Sequence, residues 1–149
     1  MDRRRTRPGL IPVPSPGVEI LSALFIENIE MRQAEGGAAR IDLTGVQFSA
    51  VAPAALPLTW APHLSLIIRC APDEPGTGVL EVVYEREGGD GERLARNVQP
   101  LEVEPGRFTQ RLVRGEIDFE EYGTVVARCR VDQGPVLSVP YTMLAPPDS

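Results

Sequence analysis

The sequence contains no lysine: all fifteen basic residues are arginine, against 21 Asp and Glu. It has one histidine, one tryptophan and two cysteines in 149 residues, and aromatics make up 5% of the chain. Each shortage excludes something. A Ser-His-Asp or Cys-His hydrolase needs an imidazole, and His63 is the sole one on offer. His63, Cys70 and Cys129 are three scattered ligands, one short of a tetrahedral zinc site. Two cysteines do not make a disulfide framework. Scarce aromatics argue against a sugar cleft, and so against glycoside hydrolysis by paired carboxylates.

Long apolar runs are missing too. The longest near the start, Ile20 to Ile26, is interrupted by Ser22 and is too short to span a membrane or to act as the core of a signal peptide. The expected location is the cytoplasm, with no membrane partner. A phosphate loop is also lacking, since Gly88-Gly89-Asp90-Gly91 has no lysine and no following helix.

Charge is divided unevenly. Arg3, Arg4, Arg5 and Arg7 face a single acid, Asp2, within residues 1–17, whereas the remainder holds 11 arginines against 20 acids. An acidic body is repelled by a phosphate backbone, so no nucleic-acid partner is expected. The use of arginine alone, with abundant Ala, Gly, Pro and Val, suggests a GC-rich coding bias.

What is present is an alternating pattern. Leu64, Leu66, Ile68 and Cys70 share one parity while Ser65 and Arg69 take the other, as in a half-buried strand. Ala127, Cys129 and Val131 alternate likewise with Arg128 and Arg130, and Leu80, Val82 and Tyr84 with Glu81 and Glu85. Turn residues recur every eight to fifteen positions, too closely for crossover helices. The pattern predicts strands at about 20–32, 39–50, 63–71, 78–87, 92–102, 107–114, 122–132 and 136–144. Hairpin turns are expected at Gly88 to Gly91 and at Asp132 to Gly134. Ile20 to Ile29 is apolar on both parities, so a short helix is the rival there. The fold class is all-β, an antiparallel immunoglobulin-like sandwich of about seven to eight strands. Residues 1–17, with four prolines and two glycines, read as a disordered Arg- and Pro-rich tail, 18–144 as the domain, and 145–149 as a short polar tail.

The segment SALFIENIEMR (Ser22 to Arg32), a Gly-Gly turn, and ARIDLTGVQFSAV (Ala39 to Val51) with its Thr44-Gly45 pair resemble the start of a family of small bacterial proteins known mainly as a domain of unknown function. Phe119 to Tyr141 resembles the final hairpin of many immunoglobulin-like modules. The resemblance implies a fold and no activity. The acidic stretch Glu27 to Glu30 departs from it, leaving the register of the opening strand open.

Few residues suggest chemistry. Cys70 and Cys129 fall on inward parities, where a buried thiol is inert. They sit on two strands whose spacing is compatible with the bridging pair of antibody domains. Glu116, Asp118, Glu120 and Glu121 crowd one segment, with Asp73, Glu74, Glu85, Glu87, Asp90 and Glu92 elsewhere, but no loop has the alternation of a calcium site. Trp60, in the Pro-bounded stretch Leu56 to His63, is the candidate interaction residue, because tryptophan is enriched among interface hot spots. It also suits a plug at the end of a core. No catalytic residue, cofactor or metal site is assigned. The expectation is a non-enzymatic protein-interaction or structural module, binding another protein or a second copy. The alternative is a small-ligand or divalent-metal binder using the acidic end loops.

Overall fold

The computed structural model describes residues 17–89 and 91–147. Residues 1–16 of the expected tail, Asp90 of the expected Gly88 to Gly91 turn, and residues 148–149 lie outside the described residues.

Twelve strands run in chain order among the described residues: β1 (Val18–Ile26), β2 (Asn28–Gln33), β3 (Ala39–Thr44), β4 (Ser49–Val51), β5 (Leu58–Trp60), β6 (His63–Cys70), β7 (Thr77–Arg86), β8 (Arg93–Glu102), β9 (Phe108–Arg114), β10 (Ile117–Phe119), β11 (Gly123–Val131) and β12 (Leu137–Leu144). They form a three-stranded sheet β1-β6-β9, a five-stranded sheet β4-β12-β11-β7-β8, and two pairs, β2-β3 and β5-β10. The protein is therefore all-β, built from several sheets of which none is a barrel. Its helical content among the described residues is one 3-10 turn at Glu35–Gly37.

Both larger sheets contribute to one hydrophobic cluster. Leu64, Leu66, Ile68 and Cys70 of β6, Leu80, Val82 and Tyr84 of β7, and Val125, Ala127 and Cys129 of β11 are all buried in it. These are the alternating parities read from the sequence. Each buried Leu, Ile or Val of this kind contributes about 1.5–3 kcal/mol relative to exposure. Phe25 of β1 meets Tyr141 of β12 edge-on, with ring centroids 5.0 Å apart, and ties the two sheets together.

The strand count differs from the expected seven to eight for an identifiable reason. The run expected at 20–32 is two strands, because the chain leaves the sheet at Glu27, and the run at 39–50 is broken after Thr44. The amide of Glu27 donates to the carbonyls of Thr44 (3.0 Å) and Gly45 (3.1 Å), closing the base of a separate β2-β3 ribbon. The acidic stretch that fitted poorly in a buried strand thus lies outside the sheet. Ile20 to Ile26 is strand rather than helix, with a bulge between Ile20 and Ser22.

Pairing is antiparallel except where β4 runs parallel to the end of β12. This departs from the expected all-antiparallel arrangement. Both predicted hairpins form, β7 with β8 and β11 with β12. Ser65 corrects another expectation. It lies on the outer parity yet is 1% exposed, because Leu24 and Leu112 flank it in register and its hydroxyl accepts from Gln110 Nε2 at 3.2 Å.

Candidate functional site

The β2-β3 ribbon is amphipathic by register. Ile29 stands opposite Leu43 and Met31 opposite Ile41 on one face, and Glu30 opposite Asp42 and Arg32 opposite Arg40 on the other. Its turn uses Gly36 and Gly37 at φ +73° and +79°, values that favour glycine. Like charges directly opposite one another disfavour the pairing. The Arg32 guanidinium relieves this by reaching diagonally to Asp42, and that hydrogen bond holds the Asp42 carboxyl below its usual range.

The outer face of the three-stranded sheet carries apolar side chains, Leu24, Ile67, Phe108 and Leu112, among polar ones that include Ser65, Arg69 and Gln110. Between this face and the ribbon lies a cleft of about 530 Å³, lined by Met31 and Ile41 on one wall and by Ile67, Phe108 and Gln110 on the other. Its size falls in the range of ligand and side-chain pockets. Met31 is 65% exposed and Phe108 62% exposed, so two large apolar side chains border a solvent-open gap. Arg107 stands at the mouth, and the Arg69 guanidinium lies 5.9 Å from the centre of the Phe108 ring. Among the described residues no carboxylate lines the cleft.

The residues singled out from the sequence lie elsewhere. Trp60 sits half-buried on β5, opposite Ile117 of β10, and packs against the core. Its indole N–H donates to the Tyr141 hydroxyl at 3.0 Å, which in turn donates to Gln47 Oε1 at 3.4 Å. His63 lies on the outer parity of β6 between Ile26 and Arg114. Cys70 and Cys129 are both buried and free. Burial pushes the Cys129 thiol up to about 12, far from a reactive thiolate.

The acidic segment is dispersed. Asp118 accepts from Thr59 Oγ1 at 2.7 Å, and Glu121 pairs with Arg86 at 3.0 Å. Ile117 and Phe119 between these acids are buried, as their alternation implied. Among the described residues no three His, Cys, Asp or Glu side chains converge on a point that would hold a metal ion. No helix among the described residues is long and apolar enough to cross a membrane.

Sequence reasoning missed the cleft because it read the ribbon as part of two longer core strands. The available signal was the alternation of Ile29 and Met31, then Ile41 and Leu43, with charged residues on both sides of a Gly-Gly turn. Such a pattern marks a free-standing hairpin as well as it marks a core strand. The cleft's other wall comes from β6 and β9, distant in sequence. No protein-family model matches the chain, and no curated protein matches it by sequence.

Proposed function

We propose that this chain is a non-enzymatic protein-interaction module of bacterial, cytoplasmic origin, on an immunoglobulin-like sandwich, and that it binds an apolar segment of another protein in the cleft beneath the β2-β3 ribbon. The carrying observation is the pair of apolar walls, Met31 and Phe108 foremost, held apart and exposed. Exposed apolar surface with a polar surround marks interaction sites.

Strand order supports the fold reading. The order β1-β6-β9 against β12-β11-β7-β8 corresponds to strands A-B-E against G-F-C-C′, with β4 added beside β12. Cys70 and Cys129 then occupy strands B and F, the positions of the antibody bridge, as free thiols, which fits a reducing compartment. Placement in the small bacterial family of unknown function belongs to the same proposal.

Edge design supports another protein over a second copy. Among the described residues, β9, β8 and β1 are edge strands: Arg111 on β9 stands opposite Leu66 on the core-facing parity, Pro100 interrupts the outer side of β8, and a bulge distorts β1, while Pro140 lies on the part of β12 that β4 does not cover. Inward charges, prolines and bulges are devices that block edge-to-edge pairing.

The test uses the dye anilinonaphthalene sulfonate and a random peptide library. The dye should fluoresce on the native protein, and selected peptides should be rich in apolar residues and displace it. Both should be lost in Met31→Ser/Phe108→Ser, whose folding is checked by the single tryptophan. Binding that survives the double substitution overturns the cleft reading.

A further inference from the structure

The outer face of the five-stranded sheet has a different character, independent of the cleft. Arg93 and Arg96 of β8, Glu81 and Glu85 of β7, and Arg128 and Arg130 of β11 share its outward parity. Glu81 receives Arg96 at 2.6 Å from one side and Arg130 at 3.2 Å from the other. Glu85 receives Arg128 at 2.7 Å and stands opposite Arg93 in register.

The acids are the deeper partners. The Glu81 and Glu85 side chains are 18% and 24% exposed, whereas those of Arg130, Arg96 and Arg128 are 38%, 47% and 49% exposed. Glu81 and Glu85 therefore lie beneath a layer of guanidinium groups, and with exposed Glu102 at the far end of β8 the four arginines leave the face one positive charge in excess, on a chain of net charge −6. Three of the arginines, Arg93, Arg128 and Arg130, line a groove of about 230 Å³ with Val83 and Val136 and with the two carboxylates they cover, Glu81 and Glu85. Val98 on β8 adds exposed apolar surface on the same side.

We propose that this face is a docking site for an acidic, extended segment of a protein partner, gripped by Arg93, Arg96, Arg128 and Arg130 over the groove floored by Val83. Charge complementarity selects the occupant. The arginines lie on β8 and β11, two strand spacings apart or about 10 Å. One small anion does not bridge that span, whereas carboxylates spaced along a peptide do. Guanidinium forks suit carboxylates in paired geometry. Val83 and Val136 in the groove and exposed Val98 beside it suit the apolar side chains that an acidic peptide can carry between its carboxylates and a nucleic-acid backbone does not, which makes a peptide the polyanion of choice.

The experiment is fluorescence anisotropy of fluorescein-labelled hexaglutamate titrated with the full chain, alongside an oligouridylate of equal charge. The expected result is saturable peptide binding that weakens as salt is raised and falls about tenfold in Arg93→Gln/Arg128→Gln, two charged contacts being removed. Arg69→Gln/Arg107→Gln, which alters the cleft instead, should leave peptide binding unchanged. Because Arg128→Gln strips Glu85 of its partner, amide shifts of the unaltered protein are followed as well, and these should move on β7, β8 and β11. Absent binding, binding unaffected by the first pair of substitutions, shifts confined to other strands, or oligouridylate bound as tightly would each overturn the proposal. Loss of cleft binding in Met31→Ser/Phe108→Ser leaves hexaglutamate binding intact, so the two surfaces fail separately.

Discussion

The Trp60 indole N–H donates to the Tyr141 hydroxyl at 3.0 Å, and the Tyr141 ring in turn meets Phe25 edge-on. A residue from the short β5-β10 pair is thereby tied to both larger sheets. Trp60→Phe keeps most of the packing but removes the donor, and should cost about 1 kcal/mol. Trp60→Ala also leaves a cavity and should cost about 3–5 kcal/mol. Urea unfolding followed by circular dichroism measures both, and a Trp60→Phe cost near zero would show that the hydrogen bond contributes nothing.

Tyr84 is fully buried, and its hydroxyl has no hydrogen-bond partner among the described residues. Tyr84→Phe removes an unsatisfied polar atom without changing the ring, so stability should hold or rise by up to about 1 kcal/mol. The neighbouring backbone is tight: a Cβ on Gly115 would come within 2.4 Å of Tyr84 Cε2. Gly115→Ala should therefore destabilise by about 1–3 kcal/mol. Thermal melts of both variants provide the comparison.

Alkaline pH should unfold the protein through its core. Burial raises the Cys129 thiol from 9.0 to about 12, and burial together with nearby Cys129 raises Tyr84 as well. An acid that is harder to ionise in the folded chain favours the unfolded chain once pH exceeds its ordinary value. The contribution of Cys129 is intact below about pH 9 and declines toward pH 12 by about 1.4 kcal/mol per pH unit. Urea midpoints measured from about pH 7 to 11 should be flat and then fall. Cys129→Ala should lower the plateau and shallow the fall. An unchanged slope in that variant would place the titration elsewhere.

The ribbon should be the least stable part of the described chain. An isolated two-stranded hairpin is marginal in water, and no residue of β2 or β3 belongs to the buried core. Amides of residues 28–44 should exchange with deuterium by local opening, well before those of β6 and β11. Exchange of all strands at one rate would mean that the ribbon is clamped to the sheet.

Arg111 gives a prediction about association. Its side chain lies on the core-facing parity of a free edge, with Nε buried and unpartnered among the described residues. Arg111→Leu removes the charge from the edge and should turn a monomer into a concentration-dependent oligomer, read by light scattering after size exclusion. A variant that stays monomeric would shift the burden of edge protection to Pro100 and Pro140.

Much of the framework was legible because period-two alternation is local. Leu64 to Cys70, Leu80 to Tyr84 and Ala127 to Val131 each state which face is buried without reference to any other segment. The same locality explains the errors. Asn28 to Gln33 alternates as well as a core strand does, but whether its apolar face meets the core or a cleft depends on where the chain turns at Glu27. Ser65 was placed on the correct face and still became buried, because Leu24, Gln110 and Leu112 arrive from strands far along the chain.

The candidate surfaces were the least legible part. Trp60 stands out by type, yet its polar atom is engaged by Tyr141, eighty-one residues away. The cleft joins Met31 to Ile67 and Phe108, and the arginine face joins Arg93 and Arg96 to Arg128 and Arg130 across Glu81 and Glu85. Alternation and turn residues by themselves determined that this chain is all-β, where its principal strands run and which side of each is apolar. Tertiary structure alone decided which strands are neighbours, because pairing depends on backbone groups that every residue carries alike. It thereby decided which exposed side chains share a face.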